Sequence, residues 1–166
     1  MSSQLPFVSQ AGLTQHNYSL YALPVGFLLA MGPFWYAVGL IRKHAGKKAF
    51  DLANPRESYK KLGEAKIDPK IYRRITRATA ASDNTFSNLG YFSASVVAGN
   101  LAHLSARTLN TCVAVWIISR IAFALLYINT ENPKNARYRS IVFTVGVLAC
   151  TTLIIKAANK LSSVPW

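Results

Sequence analysis

Arg120 lies in the middle of residues 108–128, TLNTCVAVWIISRIAFALLYI, a stretch with no other charged side chain. A guanidinium inside a membrane-length apolar helix costs several kcal/mol, roughly 2.5–3.5 on insertion scales, so it demands a partner within the protein. Tyr127 follows seven residues later, two helical turns along the same face. The same spacing separates Arg77 from Asn84, and Asn88 and Tyr91 continue that row. Arg137, Arg139 and Ser140 open the last apolar stretch. Guanidinium, amide, phenol and hydroxyl groups at one level are what holds carboxylates or stabilises an anion in a low-dielectric cleft. Each residue also has a plainer role. Arg77, Arg137 and Arg139 serve as interfacial anchors, Tyr127 as part of an aromatic belt, and Asn84 as a helix cap. For Arg120 the plainer role is a structural pair with a helix carbonyl or with Asp83.

Four elements must carry these groups. Apolar segments near residues 18–41, 84–105, 108–128 and 140–158 each approach the ~20 residues that cross a bilayer. The second is the most polar, interrupted by Asn84, Asn88, Ser93, Ser95 and Asn100, and its Gly90, Ala94, Ala98 and Gly99 suit close helix packing. A chain that is 51% hydrophobic and only 15% charged fits a small membrane protein rather than a soluble domain. The expected architecture is therefore an all-α, four-helix membrane bundle forming one domain over residues 1–166. A long loop at 42–83 is broken by Pro55 and Pro69, a tight turn lies at Ala106–Arg107, and Pro133 breaks the third loop, 129–138.

The net charge of +13 is unevenly placed. Residues 1–41 contain no charged side chain, and twelve of the nineteen Lys and Arg fall between Arg42 and Arg77. That block is flanked by apolar spans and lacks interleaved aromatics for base stacking, which argues against a nucleic-acid partner. It acts instead as a topology signal. The first and third loops, with Arg139, hold fifteen Lys and Arg against three on the other side, so these loops are expected to be cytosolic and both termini luminal. On that topology Arg120 lies eight residues, ~12 Å, below the cytosolic end of its span. The N-terminus carries no basic run before its apolar stretch, so no cleavable signal peptide is expected. The sequon Asn17-Tyr18-Ser19 sits at the membrane edge and is expected to be unused. Cys112 and Cys150, within apolar runs, suit small buried side chains rather than a disulfide or metal site, and His16, His44 and His103 have no catalytic setting.

The stretch 77–101, RATAASDNTFSNLGYFSASVVAGNL, resembles the second-helix pattern of the MAPEG superfamily, membrane-associated proteins in eicosanoid and glutathione metabolism. RIAFALLY at 120–127 resembles the Arg and Tyr of its third helix, and Arg139-Ser140 the opening of its fourth. KKAFDLANPRE followed by IDPK in the first loop is similar to the glutathione-dependent prostaglandin synthase branch, and the glycine- and alanine-rich second span is most similar to fungal members. The resemblance covers about residues 18–158. It implies a homotrimer in the endoplasmic reticulum, with glutathione bound as co-substrate between protomers near the cytosolic side. By matching position, Arg77, Asn84, Arg120 and Tyr127 would bind glutathione, with Arg137 a further candidate, and Arg139 or Ser140 would stabilise its thiolate.

Three positions depart from the family pattern. The acid three residues after the Asn is Ser87, a second Arg four residues before it is Ala80, and a tyrosine one turn before Tyr127 is Phe123. The resemblance thus implies a glutathione transferase or peroxidase acting on lipophilic electrophiles from the bilayer. Ser87 and Ala80 favour the alternative, a non-catalytic protein that binds lipophilic ligands or acts as a scaffold. A channel or transporter is disfavoured by a charge-free first span and the lack of broken half-helices.

Overall fold

The computed structural model describes residues 16–46, 49–51, 53–64, 67–132 and 136–163. Helix α1 (Ala22–His44) continues a single 3-10 turn, Ser19–Tyr21. After it come a short α2 (Pro55–Glu64) and three long helices, α3 (Pro69–Leu101), α4 (Ala106–Asn129) and α5 (Ala136–Ser162). No strand occurs among the described residues. The four long helices pack as a bundle in which α1 lies along α3, α4 lies along α5, and α3 touches all three of the others. Three helical stretches, Ser19–His44, Ala106–Asn129 and Arg137–Ser162, are long and apolar enough to cross a membrane. α3 is longer than any of them but too polar along its middle to join that set.

The prolines start helices instead of breaking a loop. Pro55 is the first residue of α2 and Pro69 the first of α3, a position where a missing N–H costs nothing. Asp68 caps α3 by accepting the Lys70 N–H at 2.8 Å. The second long helix therefore begins at Pro69, well ahead of the expected residue 84. Residues 69–83 are too basic to resemble a span, but Ile75, Ala78 and Ala81 recur at helical spacing and are buried. The tight turn also moves, because Ser105 accepts the Thr108 N–H and caps α4, leaving residues 102–105 to turn the chain. Pro133 and Lys134, assigned to the third loop, lie outside the described residues, as do residues 1–15.

Two apolar cores hold the bundle. Near the chain termini, Phe92 of α3 and Trp116 of α4 stack with centroids 3.7 Å apart, surrounded by Ala22, Val96, Leu109, Val113 and Leu153. At the other end, where the basic residues collect, Ala37, Ile41, Ile75, Ala78 and Ile128 receive Phe50 and Leu62. Phe50 sits edge-on to both Phe34 and Tyr59, and burial pushes the Tyr59 phenol up. Asp51 closes this cap. Its carboxylate accepts the Ala53 N–H at 2.8 Å and Asn54 Nδ2 at 3.1 Å, which hold its carboxyl below the usual range. At the opposite end Asn17 works as a local clasp. Its Oδ1 accepts from the Ser19 N–H and Oγ, and its Nδ2 donates to Asn100.

Candidate functional site

At the basic end a cavity of about 440 Å³ opens between α3, α4 and α5. α3 contributes Asn84, and α4 contributes Phe123 and Tyr127, one turn apart. The first turns of α5 contribute Arg137, Arg139, Ser140, Phe143 and Thr144. Five of the seven residues singled out from sequence thus meet in one place: Asn84, Tyr127, Arg137, Arg139 and Ser140. The start of α5 adds the positive end of a helix dipole, which favours an anion there.

The geometry of the cavity is set by stacking. The Arg139 guanidinium lies over the Tyr127 ring, 4.4 Å from its centroid. Tyr127 in turn packs on Phe123 at 5.3 Å, and Phe123 on Phe143 at 5.8 Å. A row of rings therefore fixes one wall and holds a half-buried cation at its edge. Across from it the Asn84 side chain keeps its Oδ1 buried without a hydrogen-bond partner. An acceptor desolvated in this way costs about 1–3 kcal/mol until a donor reaches it. Among the described residues no carboxylate lines the cavity.

Arg77 and Arg120 are not brought to this cavity. Arg77 donates from Nε to the Ile128 carbonyl at 3.0 Å and from Nη2 to Glu131 at 3.1 Å, tying α3 to the end of α4. Its charge is therefore answered by an acid in the loop after α4, which the sequence reasoning passed over.

Arg120 is 1% exposed, among the most buried side chains of the protein. Its Nη2 donates to the Phe143 carbonyl at 3.1 Å, so a helix carbonyl, rather than Asp83, is its protein partner. The guanidinium lies 4.6 Å from the Phe143 centroid, 5.4 Å from Phe123 and 5.7 Å from Trp116. Nε and Nη1 remain buried with no hydrogen-bond partner. Gly146 makes this packing possible, since a Cβ there would run into Ser119 Oγ and come within 3.0 Å of Arg120 Nη2. The aromatic residues Phe123 and Phe143 stand between Arg120 and the cavity. They were missed as site residues because apolar rings in an apolar span carry no sequence signal of their own.

A family model for MAPEG matches residues 20–159, most of the chain. The chain belongs to the MAPEG family. No curated protein and no solved structure matches it. Membership, with the three apolar helices, makes it a membrane protein of a family associated with glutathione and eicosanoid metabolism. The positions that depart from the MAPEG pattern fall outside the cavity or in its wall. Ser87 is exposed on α3, where its hydroxyl donates to the Asp83 carbonyl at 2.9 Å. Phe123 is the central ring of the aromatic row.

Proposed function

We propose that this MAPEG protein is a glutathione-dependent membrane transferase acting on lipophilic electrophiles, with glutathione held in the cavity between α3, α4 and α5. The observation that carries this is the Arg139 guanidinium fixed on Tyr127 beside Ser140 in the first turns of α5. A cation so placed lowers a thiol pKa and raises the thiolate fraction at neutral pH. The Ser140 hydroxyl donates to the same sulfur. Arg137 and Tyr127 bind glutathione carboxylate and peptide groups, and the unpartnered Asn84 Oδ1 accepts one of its N–H groups. In conjugation the thiolate sulfur attacks an electrophilic carbon, and the leaving group departs with its electron pair. With a peroxide the sulfur attacks one oxygen and the O–O bond breaks. The alkoxide leaves with the electron pair and takes a proton, and a second glutathione converts the resulting sulfenic acid to glutathione disulfide and water. The bilayer supplies the apolar partner, and bringing both to one cleft replaces an encounter in solution. Arg77 ties α3 to α4 and positions Asn84 and Tyr127 without touching glutathione.

In this proposal α3 is the fourth membrane span, and the first loop faces the cytosol with both termini in the lumen of the endoplasmic reticulum. A polar span tolerates a bilayer only if protein covers it. Along α3, Asp83, Ser87, Gly90, Ala94, Val97 and Leu101 are exposed at alternating steps of three and four residues, the spacing of a helix–helix seam. Two further copies of the chain, in a homotrimer, cover that stripe and close the cavity's open side.

The lack of a carboxylate among the described residues of the cavity favours a second function, a non-catalytic protein that presents lipophilic ligands. Titrating the detergent-purified protein with glutathione separates the two. Saturable binding at millimolar glutathione, weakened more by Asn84→Ala than its thiolate absorbance per bound molecule, is expected for the transferase. Absence of saturable binding refutes the transferase and leaves the non-catalytic function.

A further inference from the structure

Asp51, Glu57, Asp68 and Glu131, at the basic end of the bundle, are already engaged. Asp51 accepts from Ala53 and Asn54, Asp68 caps α3, Glu57 faces Lys61 at 3.9 Å, and Glu131 pairs with Arg77. Four cations stand apart from them. Arg42 and Lys43 end α1, Lys70 and Arg73 begin α3, and all four are exposed. None of them makes an ion pair among the described residues. One contact between the helices sets where they lie. The Arg74 guanidinium, which donates to Asn129 at 2.9 Å, rests on the Tyr36 ring at 5.6 Å, at the basic end of a groove of about 370 Å³ between α1 and α4. Lys43 is seven residues beyond Tyr36 on α1, and Lys70 is one turn before Arg74 on α3. The two helices run antiparallel, since Ser19 meets Asn100 at the other end, so both steps lead outward from the Tyr36–Arg74 contact. They do so by about 10 Å and 6 Å along the two axes, on the faces that carry Tyr36 and Arg74.

We propose that this end of α1 and α3 binds an anionic phospholipid of the cytosolic leaflet, its headgroup phosphate held between Lys43 and Lys70. Phosphate chemistry alone would also suit a free phosphate, and what lies below the cations selects the lipid. Trp35 and Tyr36, both exposed, lie seven residues before Arg42 and Lys43, and exposed Leu28 lies seven before Trp35. Leu28, Trp35 and Arg42 thus make one row along α1, apolar, then aromatic, then cationic. That order matches the acyl chain, the interface and the headgroup of a single leaflet, where Trp and Tyr collect. Basic side chains just outside a membrane span attract anionic headgroups, each raising affinity about fivefold. A zwitterionic headgroup carries its own ammonium beside the phosphate, so these cations gain little from it. A role in topology alone needs only the charge, whereas the row on α1 predicts a preference among lipids. The choice of leaflet rests on the topology proposed above, and the binding itself does not.

The test is a fluorescence titration of the full-length protein in dodecyl maltoside micelles with phosphatidic acid and, in parallel, phosphatidylcholine, each carrying a nitrobenzoxadiazole label on one acyl chain. Phosphatidic acid should bind saturably and at least about 25-fold more tightly at 0.1 M salt, the product of two fivefold contacts. At 1 M salt, where the screening length falls to about 3 Å, the difference should shrink to within about twofold. Lys43→Gln with Lys70→Gln should lower phosphatidic acid affinity about 25-fold and leave phosphatidylcholine and glutathione binding unchanged. Arg107→Gln with Lys156→Gln takes the same charge from exposed positions at the opposite end, and should leave the preference intact. Equal binding of the two lipids to the wild type, or equal losses in the two double variants, overturns the proposal. So does displacement of the labelled lipid by equimolar sn-glycerol 3-phosphate, which would mark a site for free phosphate. Micelles have no leaflets, so a lipid preference in a protein whose 42–77 loop is cut by protease from the luminal side would refute the topology and leave this binding face standing.

Discussion

Arg120 and Arg139 have the same side chain near the same end of the bundle, yet they face different solvents. Arg139 begins α5, half-buried, stacked on Tyr127 at 4.4 Å in a cavity lined by amide, hydroxyl and guanidinium groups. Arg120 is 1% exposed, ringed by Phe143, Phe123 and Trp116, and lines a groove whose other walls are almost wholly apolar. The first setting can exchange a hydrated peptide anion with the aqueous side. The second keeps a charge among apolar side chains, shut off from water. Two rings, Phe123 and Phe143, stand between the cavity at Arg139 and the groove at Arg120.

The sharpest way to break this comparison is Arg139→Ala. It should lower the glutathione thiolate fraction and the conjugation rate by about 100-fold, the scale of removing one charge-stabilising donor from an active site. Conjugation of a generic electrophile by the purified variant measures it. A smaller effect, felt on both sides, is expected from Gly146→Ala. The added methyl meets Ser119 and Arg120, so α5 must retreat from α4, with overpacking costing about 1–3 kcal/mol. Thermal unfolding in detergent reads the loss, and glutathione binding should weaken with it. Arg77→Ala should do least. Its partner Glu131 is largely exposed, so the pair contributes at most about 1 kcal/mol, and glutathione affinity should change less than twofold if Arg77 only positions its neighbours. A large loss of affinity there would place Arg77 back among the ligands.

Much of this was legible in the sequence. The apolar stretches containing residues 22–44, 106–129 and 137–162 stand out by composition, and the cost of a lone guanidinium in one of them marked Arg120 as needing a partner. Seven-residue spacing correctly puts Arg120 and Tyr127 on one side of α4. It cannot say that the side is shared, with Phe123 and Tyr127 turned to α5 and Ile121, Ala124 and Leu125 turned to α1. Arg120 stands at the border of those two rows, and the choice between them depends on the Phe143 carbonyl and the gap at Gly146, which belong to another helix. The early start of α3 was hidden for a different reason: an amphipathic basic helix and a basic loop share a composition and differ in the period of a few apolar residues. The pairing of Arg77 with Glu131 was equally invisible, because a loop acid has no periodicity to announce its partner.

The most direct test of the glutathione site compares two variants by ultraviolet difference spectroscopy of the thiolate during glutathione titration. Gly32→Phe, which blocks the α1–α4 groove, should develop the wild-type thiolate signal. Arg139→Ala should show almost none at saturating glutathione. A full thiolate signal in Arg139→Ala would contradict the account, and would require that some other cation, Arg120 foremost, ionises the thiol.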